Sequence, residues 1–207
     1  MLKISIIDSG LSNLYNVPQA FEYIGAKTNI VSCNDDTIHD HLVLPGVGSY
    51  ERGMNSIKKI GLIDKIKNHV ESNRPFLGIC LGMQMMFKRS YEFGEHKGLD
   101  IINGDVVKIP SKNNANDTHK IPHIGWNDNM VKINNKLTVN MGDSFSMYFV
   151  HSYMSTSVNN ENIISTVNYN GIDIISMVNY KNSYGCQFHP EKSGEDGLNI
   201  LRNFTRI

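Results

Sequence analysis

The chain has 207 residues, of which 40% are hydrophobic, and its 20 Lys and Arg residues balance its 20 Asp and Glu residues. This length is enough for one well-buried core, because single domains commonly reach roughly 250 residues. A formal net charge of zero offers no basic field for nucleic acid and no polybasic patch for anionic lipid. We therefore expect a single domain over residues 1–207, with neither nucleic acid nor a membrane as partner.

The cysteines and the apolar runs indicate where the protein works. No apolar run approaches the ~20 residues that a membrane-spanning helix needs, and the N-terminal run is too short for a signal peptide. Cys33, Cys80 and Cys186 are widely and irregularly spaced, which argues against a disulfide framework and against a zinc knuckle. We expect a cytoplasmic protein with no metal and no organic cofactor.

Strands and helices alternate along the first half of the chain. The β-branched run at 3–8 predicts a strand, and apolar residues at helical spacing after Asn13 predict a helix that ends near Gly25. The remaining predictions, in chain order, are strands at 28–32 and 41–44, one or two helices within 54–71 with a weak point at Gly61, a strand at 76–80 and a helix at 83–88. This order predicts an α/β fold with a mostly parallel central sheet flanked by helices.

Shorter strands dominate the second half, where a polar, Asn-rich loop at 111–118 interrupts the pattern. The predicted strands lie at 106–109, 130–133, 146–150, 163–167, 174–178 and 185–188, and a final helix lies at 198–204. Functional residues of open α/β sheets gather beyond the C-terminal ends of the strands. The turns after Asp8, Leu44 and Ile79 are therefore the first places to look for a site.

The strongest local motif is Gly78-Ile79-Cys80-Leu81-Gly82, in which an apolar strand runs directly into a helical pattern. This is the cysteine form of a nucleophile elbow, whose glycines permit a tight strand-to-helix turn that exposes the sulfur. A helix N-terminus favours the thiolate, and the Leu81 amide would point toward a developing oxyanion. An isolated cysteine is more often a buried apolar residue, so the hypothesis requires a base elsewhere in the chain.

A candidate base follows the last predicted strand, in the segment His189-Pro190-Glu191. Histidine can accept a thiol proton near neutral pH, and Glu191 can turn back past Pro190 to orient the imidazole. The three residues would form a nucleophile, base and orienting acid in the chain order Cys80, His189, Glu191.

Together, the elbow and the His-Pro-Glu segment resemble the class I (triad) glutamine amidotransferases. Within that family, Pro45-Gly46-Val47-Gly48, residues 120–127 (Lys-Ile-Pro-His-Ile-Gly-Trp-Asn), residues 149–153 and residues 189–194 are similar to the glutaminase subunits of imidazole glycerol phosphate synthase, the HisH type. The resemblance covers nearly the whole chain. It implies a flavodoxin-like sheet with additional antiparallel strands in the second half.

The resemblance also implies roles for individual residues. Cys80 would attack the glutamine side-chain amide, and a γ-glutamyl thioester would form and be hydrolysed while ammonia leaves. The implied oxyanion hole comprises the Leu81 amide with Val47 and Gly48, whose loop is thought to be mis-set in this family until the partner binds its substrate. The implied glutamine-binding residues are Gly46, Gln84, Glu92, Ser152 and Tyr153, and the implied partner-interface residues are Asn13, His123 and Trp126.

The partner implied by the resemblance is a (β/α)8-barrel cyclase of the HisF type, joined to the glutaminase as a heterodimer. Ammonia would pass through the barrel to a formimino carboxamide nucleotide in histidine biosynthesis. Sequestration is reasonable because free ammonia near neutral pH would be mostly ammonium, which is not nucleophilic.

Two alternatives remain open at this point. Asp8-Ser9-Gly10 and Ser12-Asn13-Leu14 depart from the usual family sequences Asp-Tyr-Gly and Gly-Asn-Leu, and residues 92–99 resemble paralogues that serve a sugar amidotransferase in surface-polysaccharide synthesis. The second alternative is a non-catalytic regulatory protein on the same fold. The intact Cys80, His189 and Glu191 argue against that alternative.

Overall fold

The computed structural model describes residues 2–11 and 15–207. Within these ranges, none of the helices has the length and apolar character needed to cross a lipid bilayer. The elements of the first half, in chain order, are β1 (Lys3–Ile7), α1 (Asn16–Tyr23), β2 (Lys27–Val31), β3 (His41–Gly46), α2 (Tyr50–Lys59), α3 (Ile63–Glu71), β4 (Phe76–Cys80) and α4 (Leu81–Met85). The elements of the second half are β5 (Phe87–Ser90), β6 (His96–Lys97), β7 (Ile102–Lys108), β8 (His123–Val131), β9 (Ser144–His151), β10 (Tyr153–Thr156), β11 (Ile163–Tyr169), β12 (Ile172–Tyr180), β13 (Ser183–Cys186) and α5 (Gly194–Phe204).

Nine strands form the central sheet in the order β2-β1-β3-β4-β13-β12-β11-β8-β9. The first five of these strands are parallel to one another, and the last four continue the sheet through antiparallel pairs. A smaller sheet has the order β10-β7-β5-β6. The predicted α/β class and the additional antiparallel strands are both confirmed.

Each face of the central sheet is covered by its own apolar cluster. On one face, α1 and α5 bury Phe21 and Phe204 against Ile6 and Leu77 of the sheet. On the other face, α2, α3 and α4 pack apolar side chains against a cluster that includes Leu44. Burial of this apolar surface on both sides explains why the parallel strands read as nearly continuous hydrophobic runs.

β4 lies at the middle of the sheet and ends at the nucleophile elbow. Its register pairs Gly46 of β3 with Cys80 on one side, and Cys186 of β13 with Ile79 on the other. The ends of β3, β4 and β13 therefore meet at one edge. The segments that carry residues 47–48, 80–84 and 187–191 leave the sheet at this edge, as the strand order predicts.

Close packing explains why the elbow requires glycine at position 82. A Cβ atom built on Gly82 would lie 1.7 Å from the carbonyl oxygen of Leu44, and one built on Gly78 would lie 2.8 Å from the carbonyl oxygen of Gly82. Neither backbone atom can move without displacing β3 or α4. The two glycines thus allow α4 to begin directly against the neighbouring strand.

Several element boundaries differ from the predictions. The helix predicted at 83–88 is wrong in its second half, because β5 starts at Phe87 and pairs with β7. Arg89 in β5 holds Asp105 in β7 through a contact of 2.7 Å, which stabilises this pairing. The strand predicted at 130–133 is the end of the longer β8, and β13 ends at Cys186 rather than at 188.

We expect Gly82→Ala to lower the free energy of unfolding by more than about 3 kcal/mol, because the new methyl group meets fixed backbone. Gly142→Ala is the matched control, since Gly142 has a φ of 72° but open space around it. Its cost should be about 1–2 kcal/mol from the left-handed conformation alone. Urea denaturation measures both, and equal losses would contradict the packing argument.

Buried His69 makes the fold sensitive to acid. Its Nε2 atom lies 2.9 Å from the Pro75 carbonyl oxygen, and burial lowers the pKa of its imidazole to about 4. Between pH 6.5 and about 4 the unfolded chain binds a proton that the folded chain does not, so stability is lost as pH falls through this window. We expect His69→Gln to flatten the pH dependence of the free energy of unfolding by roughly 1–3 kcal/mol across it.

Candidate active site

A cleft of about 820 Å³ opens where β3 and β4 end. The end of β9 and the start of β10 also line it. The predicted nucleophile and most of the residues that the sequence indicated as oxyanion or substrate contacts line it. These are Val47, Gly48, Cys80, Leu81, Gln84, Glu92, Ser152 and Tyr153.

Cys80 lies at the end of β4 with a backbone conformation that is rare for a residue with a side chain. Its φ is 55° and its ψ is −109°, outside the regions that L-residues normally occupy. The side chain is 6% exposed and borders the cleft. Its sulfur lies 3.8 Å from Nε2 of Gln187 and 4.0 Å from the carbonyl oxygen of Val150.

His189 and Glu191 come together as the sequence predicts. The Nδ1 atom of His189 lies 2.8 Å from Oε1 of Glu191, and both side chains are almost fully buried. The close approach is possible because residues 190–192 form one turn of 3-10 helix directly after the histidine. Since the carboxylate accepts the Nδ1 proton, the other ring nitrogen, Nε2, is left for the chemistry.

The charge state of His189 follows from its neighbours. Burial lowers the pKa of the imidazole, but the negative charge of the Cys80 thiolate and the hydrogen bond and charge of Glu191 outweigh burial and raise this pKa to about 10. Nε2 of His189 is buried and has no hydrogen-bond partner among the described residues. With this raised pKa, the imidazole of His189 is protonated at neutral pH.

The segment that carries His189 is fastened to the edge strand β9. The backbone N–H of His189 donates to the Tyr148 carbonyl at 3.0 Å. The Ser193 hydroxyl donates to the His189 carbonyl at 2.6 Å and accepts from the Tyr148 N–H at 3.0 Å. These bonds fix the base relative to the sheet independently of Glu191.

The predicted oxyanion loop is in a state that does not offer the Val47 amide to the cleft. The Val47 N–H donates to the carbonyl oxygen of Leu11 at 2.7 Å. Gly48 follows with a φ of 99°, and a Cβ on Gly46 would lie only 3.1 Å from Cβ of Leu81. Leu81 begins α4, where the first backbone N–H groups of a helix have no partner within the helix.

Glu92 and Gln84 both line the cleft. Oε2 of the buried Glu92 accepts the backbone N–H of Tyr50 at 2.5 Å, which anchors the carboxylate at the edge of the cleft. Nε2 of Gln84 donates to the carbonyl oxygen of Tyr153 at 3.1 Å and to Oε1 of Gln187 at 3.0 Å. The amide group of Gln84 is thus already held by the protein.

The residues predicted at a partner interface have different positions. Trp126 is 57% exposed on β8, as expected of a surface residue. His123 is fully buried, because its ring stacks between Phe149 and Tyr169, so the expectation that its side chain shapes a partner surface is corrected. Asn13 lies outside the described residues.

Sequence reasoning missed other parts of the cleft and its wall. Phe93 and Lys108 line the cleft, and Phe93 is 88% exposed. Gln187 lies behind Cys80 and is fully buried; a polar residue inside the apolar run at 185–188 was the available signal. Across residues 2–11 and 15–207, no group of three or more His, Cys, Asp or Glu side chains could hold a metal ion.

Comparison with known proteins agrees with this geometry. The model of the family "Glutamine amidotransferase class-I" matches residues 5–207. The chain belongs to this family. The glutamine amidotransferase is 45% identical to "Imidazole glycerol phosphate synthase subunit HisH 1" of Legionella pneumophila (strain Paris) over the full length of both chains. It is 38% identical to the HisH subunit of Aquifex aeolicus over 99% of this chain and 97% of that protein.

Solved structures of lower sequence identity share the fold of this amidotransferase. The structure of PurLQS from Thermotoga maritima matches with a TM-score of 0.75 at 18% identity, over 99% of this chain and 98% of that one. A glutamine amidotransferase from Thermotoga maritima matches with a TM-score of 0.64 at 17% identity, over 92% of this chain and 76% of that one. The arrangement of sheet and helices is thus common to these proteins.

Alkylation of Cys80 tests the ion pair. In a Cys33→Ser background, which removes the exposed thiol, His189→Gln should slow the reaction of iodoacetamide at pH 7 about 10- to 100-fold, because the imidazolium no longer stabilises the thiolate. Cys186 should stay unmodified, since burial, and then the charge of Glu191, raise the pKa of its thiol. Mass spectrometry of the labelled peptide measures each rate. An unchanged rate in the variant would contradict the pairing.

Proposed function

We propose that this glutamine amidotransferase is the glutaminase subunit of imidazole glycerol phosphate synthase. It would hydrolyse glutamine to glutamate and ammonia through Cys80, His189 and Glu191, and pass the ammonia to a (β/α)8-barrel cyclase partner. The observation that carries the proposal is the His189–Glu191 contact of 2.8 Å beside a strained, cleft-facing Cys80. Full-length relatives that bear this name, at 38–45% identity, support it.

The first half of the reaction uses the proton that His189 already holds. The Cys80 thiolate attacks the side-chain amide carbon of glutamine, and the carbonyl oxygen becomes an oxyanion. Nε2 of the imidazolium then donates its proton to the amide nitrogen, the C–N bond breaks, and ammonia leaves a γ-glutamyl thioester. The raised pKa of His189 supports this assignment, because the leaving nitrogen needs an acid at neutral pH.

The second half regenerates the enzyme. Neutral His189 takes a proton from a water molecule at Nε2 as the water oxygen attacks the thioester carbon. The C–S bond breaks, glutamate leaves, and the thiolate–imidazolium pair is restored. Glu191 accepts the Nδ1 hydrogen bond throughout and so holds the ring in place. Only glutamine and water are consumed.

Contacts in the cleft would orient the substrate. Glu92 is buried at the cleft edge and anchored through the Tyr50 N–H, so its carboxylate can pair with the α-ammonium group of glutamine. The backbone around Ser152 and Tyr153 also lines the cleft and would bind the same end of the substrate. Lys108 adds a cation that suits the α-carboxylate.

The oxyanion loop supports the dependence on a partner. With its N–H bonded to the Leu11 carbonyl, Val47 cannot donate to an oxyanion, and one missing donor costs roughly 10²–10³ in kcat. Rotation of the peptide between Gly46 and Val47 would free this amide. Glycine at position 46 permits the rotation, and a partner that shifts the loop at Leu11 would favour it.

Glutaminase assays of the chain, alone and with the barrel partner, test the proposal. Cys80→Ala should abolish glutamate release while still binding the partner, whereas Cys33→Ser should keep wild-type turnover because Cys33 is exposed and outside the cleft lining. Turnover that persists in Cys80→Ala would refute the nucleophile assignment.

We further expect the partner with its formimino nucleotide to raise kcat at least about 100-fold while KM for glutamine changes less than about tenfold, because the missing donor acts in the transition state. Steady-state kinetics with each candidate acceptor provide the measurement. Stimulation by a sugar amidotransferase system instead of the nucleotide would reassign the acceptor but keep the glutaminase.

A further inference from the structure

A buried amide chain lies directly behind the nucleophile. Gln187 is fully buried, and its Nε2 atom lies 3.8 Å from the Cys80 sulfur. Its Oε1 atom accepts from Nε2 of Gln84, which also donates to the Tyr153 carbonyl. The hydrogen-bonded amides of Gln84 and Gln187 therefore connect the Tyr153 carbonyl at the cleft wall to the Cys80 sulfur.

The direction of these hydrogen bonds is fixed by one atom that can only accept. The Tyr153 carbonyl oxygen requires a donor, so Gln84 must present its NH₂ group to it. The second N–H of that NH₂ group then faces Gln187, whose Oε1 atom must accept the hydrogen bond. The NH₂ group of Gln187 is consequently left to face the sulfur of Cys80.

We propose that Gln187 is a further positioning residue of the glutaminase site, which donates its side-chain N–H to the Cys80 thiolate and locks Gln84 against Tyr153. This inference rests on the function proposed above. Burying an amide that makes no hydrogen bonds would cost free energy. A leucine would fill the same space without that cost. An uncharged donor can stabilise a thiolate without titrating, and it leaves the protons of the reaction to His189.

The role predicts a specific kinetic effect. The N–H donor stabilises the Cys80 sulfur when the sulfur carries negative charge. It does so in the resting enzyme and again as the thioester breaks. Its loss should lower the fraction of thiolate and slow thioester hydrolysis. Substrate binding through Glu92 should be little affected, because Glu92 is held separately by the Tyr50 N–H.

Two substitutions separate the sulfur contact from the contact with Gln84. Gln187→Leu removes both. Gln187→Glu keeps an oxygen that can accept from Gln84 but places a carboxylate rather than a donor beside the sulfur. The matched control is Ser165→Ala, which removes a buried hydrogen bond of 2.8 Å to Ser176 on neighbouring strands and lies outside the cleft lining.

All variants are made in the Cys33→Ser background and studied at about pH 8, near the ordinary pKa of a thiol. Three properties are measured: the rate of Cys80 alkylation by iodoacetamide, the ultraviolet absorbance of the thiolate, and kcat and KM with the barrel partner. We expect Gln187→Leu and Gln187→Glu each to lower the alkylation rate and kcat about tenfold, with KM changed less than about threefold. Ser165→Ala should match the parent in all three.

The outcomes separate this inference from the proposed function. If Cys80→Ala is inactive and Gln187→Glu reacts and turns over like the parent, the sulfur contact has no role and the inference fails alone. If Gln187→Leu does not fold, Gln187→Glu gives the answer, because its shape matches glutamine. If Cys80→Ala retains turnover, the proposed function fails first.

Discussion

The close approach of α4 to β3 is the constraint on which the site depends. Gly82 lies so near the Leu44 carbonyl that any side chain would collide with it, and this contact places the start of α4 beside the ends of two parallel strands. Cys80 is held between the strand and the helix at a φ of 55°. The cost of that conformation, of order 1–3 kcal/mol, is offset by the two apolar clusters that clamp the sheet on both faces.

The parallel half of the sheet brings together groups that are far apart in sequence. β13 pairs with β4, so the segment that follows β13 reaches the elbow from the side opposite β3. Gln187 thereby approaches the sulfur, and His189 continues beyond it to the edge strand β9, where Tyr148 holds it. One short stretch of chain therefore carries both the side-chain amide of Gln187 and the imidazole of His189, and Glu191 follows two residues later.

Local patterns predicted the parts of the site that are contiguous in sequence. The geometry of the elbow depends on the glycines next to Cys80, and that of the His189–Glu191 pair depends on a spacing of two residues. Both could therefore be predicted from the sequence alone. The contacts of Gln187 could not be predicted in this way, because its partners Cys80 and Gln84 are more than a hundred positions away. His123 was misplaced because strand pairing, which sequence leaves open, encloses its ring between Phe149 and Tyr169.

The ladder between β3 and β4 ends at the pair Gly46 and Cys80, which limits how the neighbouring loop can move. Val47 is the first residue beyond the last paired position of β3, so its peptide can rotate while the pairing of β3 with β4 stays intact. A rotation at Val47 requires neither a shift in strand register nor an opening of either apolar cluster. The proposed rotation of the peptide between Gly46 and Val47 would therefore be a hinge movement of one peptide unit, separate from the strands and helix that hold the sulfur in place.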